Sequence, residues 1–148
     1  MKASGDALVI DASVAVKLFI PEEHSDRAGR LFASLDAADP AIVFVPELFF
    51  IECANVFRTR TKLRGMSAGE AKQALELLLE FPLERVNAGE LPVIALALSL
   101  EHDLSVYDAC YAALASLTNS TLVTADRKLA RKLSASTHHV IWLGDWTG

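Results

Sequence analysis

The chain reads as short apolar runs separated by segments whose apolar positions recur at helical spacing. Ala7 to Ile10 is the first run and ends at Asp11, the pattern of a buried strand closed by a turn or a helix start. A helix through Val14 to Ile20 is expected to stop at Pro21, and a second, about Glu22 to Leu35, places Ala28, Leu31, Phe32 and Leu35 on one face. Ile42 to Val45 repeats the strand pattern, and Pro46 then stands where a proline suits the first turn of a long helix, Glu47 to Arg64. Ser67, with Glu70 three residues on, is a capping-box signature for a helix running to Phe81 and stopped by Pro82; a brief strand around Arg85 and Val86 follows. Helices from about Leu91 to His102 and Tyr107 to Leu117, a strand Thr121 to Thr124, a helix Asp126 to Leu133 and a strand Val140 to Leu143 complete the pattern. Such alternation predicts a three-layer α/β/α fold, helices covering both faces of a mostly parallel sheet. No repeat, linker or low-complexity segment interrupts it, and 148 residues suit one domain, expected to span 1–148.

Composition narrows the function classes. With 52% hydrophobic and 22% charged residues and a mean hydropathy of +0.30, the chain is not of the disordered class. The longest apolar run, Leu91 to Leu100, ends at Glu101 and His102, short of the roughly 18 residues a membrane span needs, so no membrane partner is expected. Met1 to Asp6 carries no basic segment leading into a long apolar stretch; no secretory signal is read there, and the expected location is cytoplasmic. Cys53 and Cys110 are too few for a disulfide scaffold and are expected as small buried apolar residues. His24, His102, His138 and His139 fit no metal-ligand spacing and are expected at the surface or in loops. A net charge of −5 argues against bulk electrostatic capture of nucleic acid, so any RNA contact must be local.

The candidate chemistry lies in four acids. In open α/β sheets, sites form where the chain leaves the carboxyl ends of strands. Asp11, directly after Leu8, Val9 and Ile10, and Asp126, closing Thr121 to Ala125, are therefore expected on one rim. Glu52 and Asp108 each interrupt an apolar helical segment, Phe49 to Ala54 and Val106 to Cys110. An unpaired carboxylate in such surroundings is costly, and no matching Lys or Arg stands nearby in the sequence. A divalent cation resolves the conflict, and oxygen donors without His or Cys favour a hard ion, magnesium or manganese. Such ions bind phosphate oxygens, activate water and stabilise in-line phosphoryl displacement, which points to phosphodiester hydrolysis. Ser13 and Thr124, two residues from Asp11 and Asp126, are candidates to orient a carboxylate, a water or a phosphate oxygen; Asn55 shares the face of Glu52 one turn on. Simpler roles stay open. Asp11 and Asp126 each precede a helix and suit an N-cap, and Asp108 follows Ser105 by three as in a capping box. Glu52 has an outward alternative beside Arg58 or Arg60, and Ser13, Thr124 and Asn55 equally suit local backbone bonds.

Taken in order, Leu8-Val9-Ile10-Asp11-Ala12-Ser13, Glu52 with Asn55, Tyr107-Asp108-Ala109 with Ala112 and Ala113, and Leu122-Val123-Thr124-Ala125-Asp126-Arg127-Lys128-Leu129 resemble the PIN-domain family, and within it the VapC-type toxins of bacterial and archaeal toxin-antitoxin pairs. The resemblance runs nearly the whole chain. It implies a three-layer α/β/α fold and a Mg2+- or Mn2+-dependent endoribonuclease. Asp11 and Asp108 would then be direct metal ligands, Glu52 and Asp126 would complete the acidic pocket directly or through water, and Ser13 and Thr124 would support the first and last acids. It also implies an RNA substrate, a small cognate antitoxin and a homodimer, for which Phe49 and Phe50 are candidate exposed apolar residues. Basic residues gather beyond two of the acids, at Arg58, Arg60, Lys62 and Arg64, then at Arg127, Lys128, Arg131 and Lys132; they suit either an RNA-backbone contact, foremost at Arg58, Arg127 and Lys128, or solvated helix ends. Other classes fit less well. A phosphoacceptor receiver domain calls for paired acids after its first strand, where Ile10 precedes Asp11, and a haloacid-dehalogenase-type phosphatase calls for an Asp where Ser13 stands. A PIN-like domain that binds RNA or a partner without cutting is the alternative to the nuclease.

Overall fold

The computed structural model describes residues 7–135 and 139–148; His138 lies outside them. Among the described residues, five strands form one parallel sheet in the order β3-β2-β1-β4-β5: β1 (Leu8–Ile10), β2 (Val43–Pro46), β3 (Glu84–Val86), β4 (Thr121–Thr124) and β5 (Val140–Trp142). The register sets Leu8 beside both Val43 and Thr121, and Thr124 beside Trp142. Helices α1 (Ala12–Ala15), α2 (Ser25–Ala33), α3 (Leu48–Lys62) and α4 (Ala68–Glu80) follow β1 and β2, and α5 (Leu91–His102), α6 (Val106–Thr118) and α7 (Arg127–Ser134) follow β3 and β4. Right-handed crossovers place the first set on one face of the sheet and the second on the other, which is the three-layer α/β/α arrangement. The chain leaves β1 towards β2 and later returns to lay β4 on the opposite side of β1, so strand order reverses between β1 and β4. A cleft opens at such a reversal, outside the carboxyl ends of the strands.

The elements follow from their residues. Val9, Ile10, Val43, Val45, Leu122 and Val123 are buried, as strands covered on both faces require. In α6 every residue from Ala109 to Ala115 is buried, and the alanines among them let this helix lie close to the sheet and to α5. Ser67 and Glu70 complete the expected capping box of α4. The stretch after Asp11 is shorter than periodicity suggests: four α-helical residues, then a 3-10 turn over Val16–Leu18. Pro46 ends β2 opposite Val86 instead of opening a helix, and α3 begins at Leu48; a proline is tolerated at a strand terminus, where no ladder N–H is lost to the interior.

Two expectations are corrected. Phe49 and Phe50 are not exposed: they are buried edge-to-face with centroids 5.0 Å apart, and the Arg85 guanidinium lies 4.5 Å over the Phe50 ring. Consecutive helix positions turn by about 100°, and it is the next residue, Ile51, that faces solvent. His102 is half-buried within α5, whereas His24, in the turn ahead of α2, and the exposed His139 stand in loops as expected. His24 adopts a left-handed φ of 65° ahead of α2 and sets its ring against Trp142. Cys53 and Cys110 are buried thiols, as expected. Among the described residues, no helix is long and apolar enough to cross a membrane.

Candidate active site

Asp11 leaves the carboxyl end of β1 and caps α1, and it is almost wholly buried. Its Oδ2 accepts hydrogen bonds from the Thr124 hydroxyl at 2.8 Å and the Ser13 hydroxyl at 3.0 Å, and its Oδ1 accepts from the Ser13 N–H at 3.4 Å. Thr124 ends the neighbouring strand β4, so the tightest of these bonds spans 113 positions of sequence and ties the two sides of the strand-order reversal together. Ser13 Oγ accepts from the Ala125 N–H at 3.0 Å, and Thr124 Oγ1 accepts from the Asp126 N–H at 3.1 Å. Asp126 then caps α7 through a bond from the Leu129 N–H at 3.1 Å. Both hydroxyls that flank the acids in sequence thus bridge the two rims, and both acids serve as caps, Asp11 buried and Asp126 exposed.

Glu52 reaches the same place from the first turns of α3, and Asp108 from the first turn of α6, where Ser105 caps the helix by accepting the Asp108 N–H at 3.0 Å. Electrostatics records their convergence. Burial raises the Asp11 carboxyl above the usual range, and the charge of Asp108 adds to the rise against the Thr124 and Ser13 hydrogen bonds. Burial first and the charge of Asp11 next push Glu52 up to about 7, with Asp108 adding to the rise and Tyr111 opposing it. Burial also raises Asp108, where the Ser105 bond and the charge of Lys132 oppose it and Asp126 reinforces it. Glu52 Oε1 is buried without a hydrogen-bond partner; the Tyr111 hydroxyl faces it closely enough to favour its charged form but does not complete a bond, and is itself unpartnered.

Among the described residues, none of the four acids forms an ion pair. Only the charge of Lys132, acting on Asp108, offsets the acidic field in part, and for the buried and half-buried Asp11, Glu52 and Asp108 that imbalance is costly. As they stand, no three His, Cys, Asp or Glu side chains among the described residues close into a ready metal cage. The donor set nevertheless fits a hard cation: oxygen ligands only, one of them an orphaned buried carboxylate oxygen, in a site whose like charges repel until one is bound.

The remaining candidates divide. Asn55 is exposed and its side chain bonds none of the acids, and Arg58 is exposed further along α3. Arg60 does not flank Glu52 but pairs with Glu22 at 2.9 Å, and Lys132 is engaged by the Asp103 carbonyl at 2.6 Å. Arg127 and Lys128 are exposed in the first turn of α7, beside Asp126. Two residues of the site escaped the pattern of the sequence. Tyr111, one turn beyond Asp108, floors the cleft with its phenol held neutral by burial and by Asp11 and Glu52; its spacing from Asp108 was the available signal. Trp142 donates its indole N–H to the Ala125 carbonyl at 3.3 Å, which no local spacing foretells.

The pattern described as PIN domain matches residues 8–133, the span that carries all four acids. The chain belongs to the PIN-domain family. Among curated PIN relatives it is similar to Ribonuclease VapC3 of Pyrobaculum aerophilum, 35% identical over 130 residues that cover 86% of this chain and 95% of that protein. It is also similar to Ribonuclease VapC9 of Mycobacterium tuberculosis, 29% identical, with 83% and 88% covered. Among solved structures, a Pyrobaculum aerophilum protein superposes with a TM-score of 0.69 at 23% identity, covering 95% of this chain and 92% of that one. VapBC2 of Rickettsia felis, bound to a DNA fragment from its promoter, gives 0.68 at 15% identity, with 92% and 98% covered. These likenesses place this PIN domain beside the VapC proteins and bear out its three-layer fold.

Proposed function

We propose that the chain, as one nuclease domain, is a divalent-metal-dependent endoribonuclease acting in the cytoplasm as the toxin of a toxin-antitoxin pair. The observation that carries this reading is the group of mutually repelling acids, without an ion pair among the described residues, at the reversal of strand order, with Glu52 Oε1 buried and unpartnered. Asp11 and Asp108 would hold the cation, with Glu52 and Asp126 completing the pocket directly or through water; magnesium or manganese suits this oxygen set. When bound, the ion supplies charge neutralisation and water activation for hydrolysis of a phosphodiester. The chain's own residues do the rest. Thr124 and Ser13 hold the Asp11 carboxylate in one orientation, and Thr124 also fixes the Asp126 backbone against it. Glu52, whose proton affinity is raised in the metal-free site, would be held as a carboxylate once a cation is bound and would then be suited to take a proton from the attacking water. Arg127 and Lys128 would offset the repulsion between an acidic rim and an RNA backbone.

The antitoxin partner is supported by the names of the relatives, among them a toxin-antitoxin complex from Klebsiella pneumoniae. A homodimer is supported by α5, where Val93, Leu96 and Leu100 recur at helical spacing and are 72%, 51% and 78% exposed. Leu100→Glu should then give a monomer by light scattering, where an unchanged mass would remove this interface. The open spacing of the acids favours a second reading, a PIN-like module that binds RNA or a partner without cutting. Total RNA incubated with wild type, with Asp108→Asn and with wild type plus EDTA separates the two. The nuclease cuts only in the first sample, whereas a binding module leaves RNA intact in all three.

A further inference from the structure

Between α7 and β5 lies an open groove of about 500 Å³, lined by Arg127, Arg131 and Ser134 from the helix, by Ile141 and Trp142 from the strand, and by Asp145. Trp142 stands in register with Thr124, whose hydroxyl bonds Asp11, so the groove begins one strand from the end of β4 that leads to Asp126 and two strands from Asp11. The indole is held from several directions. Its N–H bonds the Ala125 carbonyl, His24 meets the ring edge-to-face at 5.1 Å, and a Cβ on Gly144 would run into it. Over this fixed ring the Arg127 guanidinium lies 4.2 Å from the centroid. A guanidinium stacked on an aromatic face keeps its edge N–H donors available, which a salt-bridged one does not. Among the described residues, neither Arg127 nor Arg131 enters an ion pair or donates a side-chain hydrogen bond. One turn apart on α7, they bring two uncommitted forks to one groove of a chain whose net charge is −5.

Resting on the ribonuclease reading, we propose that this groove binds the RNA strand as it leaves the acids, Arg127 and Arg131 each taking a phosphate group. Trp142 is the positioning residue: one side chain orders the Arg127 fork and the Ala125–Asp126 turn, so that a phosphate held in the groove has a set distance from the acidic cleft. A protein segment rich in carboxylates would be drawn by the same charges. The RNA strand is favoured because Arg127 directly follows Asp126 and Trp142 is bonded to the Ala125 carbonyl, so the groove adjoins the residues that carry the last acid of the cleft.

The test is anisotropy of a short fluorescein-labelled single-stranded RNA of mixed sequence, titrated in EDTA over a range of salt, with thermal melts to confirm folding. Arg127→Ala should weaken binding by about five- to tenfold and lower the salt slope by about 0.7, the share of one single-strand phosphate. Trp142→Leu removes no charge yet should weaken binding in the same direction, and Trp142→Phe, which restores a ring beneath the guanidinium, should recover most of the loss. Lys72→Ala, the same loss of charge on α4, should leave affinity and slope unchanged. With magnesium added, Arg127→Ala should raise KM more than it lowers kcat. If wild type binds and cuts RNA while Arg127→Ala and Trp142→Leu match it in affinity and slope, the groove assignment is overturned and the ribonuclease reading stands. If those variants keep RNA but lose the antitoxin, the groove belongs to a protein partner and the proposal fails. If wild type neither binds nor cuts RNA, the ribonuclease reading falls and takes the groove with it.

Discussion

Thr124 is the residue through which the two halves of the cleft are joined: fully buried, it donates to Asp11 and accepts from the Asp126 backbone. Thr124→Val keeps the shape but leaves the Asp126 N–H without its acceptor and Asp11 with Ser13 alone, and should cost about 1–3 kcal/mol by chemical denaturation along with most of the cleavage rate. Asp11→Asn differs in sign. The amide still caps Ser13, and it removes a buried charge that repels Asp108 and Glu52, so metal-free melting temperature should hold or rise while cleavage and magnesium binding are lost; full activity in this variant would end the metal assignment. Glu52 governs the pH response. Its folded affinity, about 7, exceeds the unfolded value of 4.5, so the folded state binds the extra proton between them, and stability is fully present below 4.5 and lost as pH rises through about 7. Melting of the metal-free protein should therefore fall from about pH 5 to about pH 8, and Glu52→Gln should flatten the curve; an unchanged slope would remove Glu52 from the acidic group. The acids themselves were legible because a carboxylate inside an apolar run is anomalous on its face. Tyr111 was not, since a tyrosine in an apolar helix is ordinary until its hydroxyl is found unpartnered beside Glu52.

At the scale of elements, α4 and α6 open on the same serine cap but carry different consequences. Ser67→Ala, in an exposed capping box, should cost about 1 kcal/mol, or about 3 °C in melting temperature, and leave RNA cleavage as it was. Ser105→Ala should cost a similar amount but also reduce cleavage, because the bond it loses sets the turn that carries Asp108. Equal effects of both on activity would mean that Asp108 lies outside the site. The helices with their own start signals, α4, α6 and α7, lie close to where periodicity puts them. The stretch after Asp11 does not, because its apolar residues are buried on all sides and so carry no period to read, and Pro46 is equally compatible with a strand end and a first helical turn.

At the scale of the molecule, the acidic group is a conflict stored in the fold that the proposed cation would relieve. Magnesium should raise the melting temperature, by an amount equivalent to about 2.7 kcal/mol at a hundredfold excess over Kd, and more above pH 7 than below it, since protonated Glu52 competes with the ion. EDTA should reverse the shift; a shift of equal size in Glu52→Gln would place the ion elsewhere. By itself the sequence determined the kind and order of nearly every element, singled out the four acids as candidates and offered the caps that Asp11 and Asp126 make, because these rest on local spacing, propensity and the cost of a charge among apolar neighbours. Only the tertiary structure decided that β4 lies beside β1, that Thr124 therefore reaches Asp11, that Phe49 and Phe50 are inside while the apolar face of α5 is outside, and that Trp142 orders Arg127. Strand order and burial are settled by which surfaces fit together across long stretches of chain, and a residue's own neighbours in sequence carry no record of that fit.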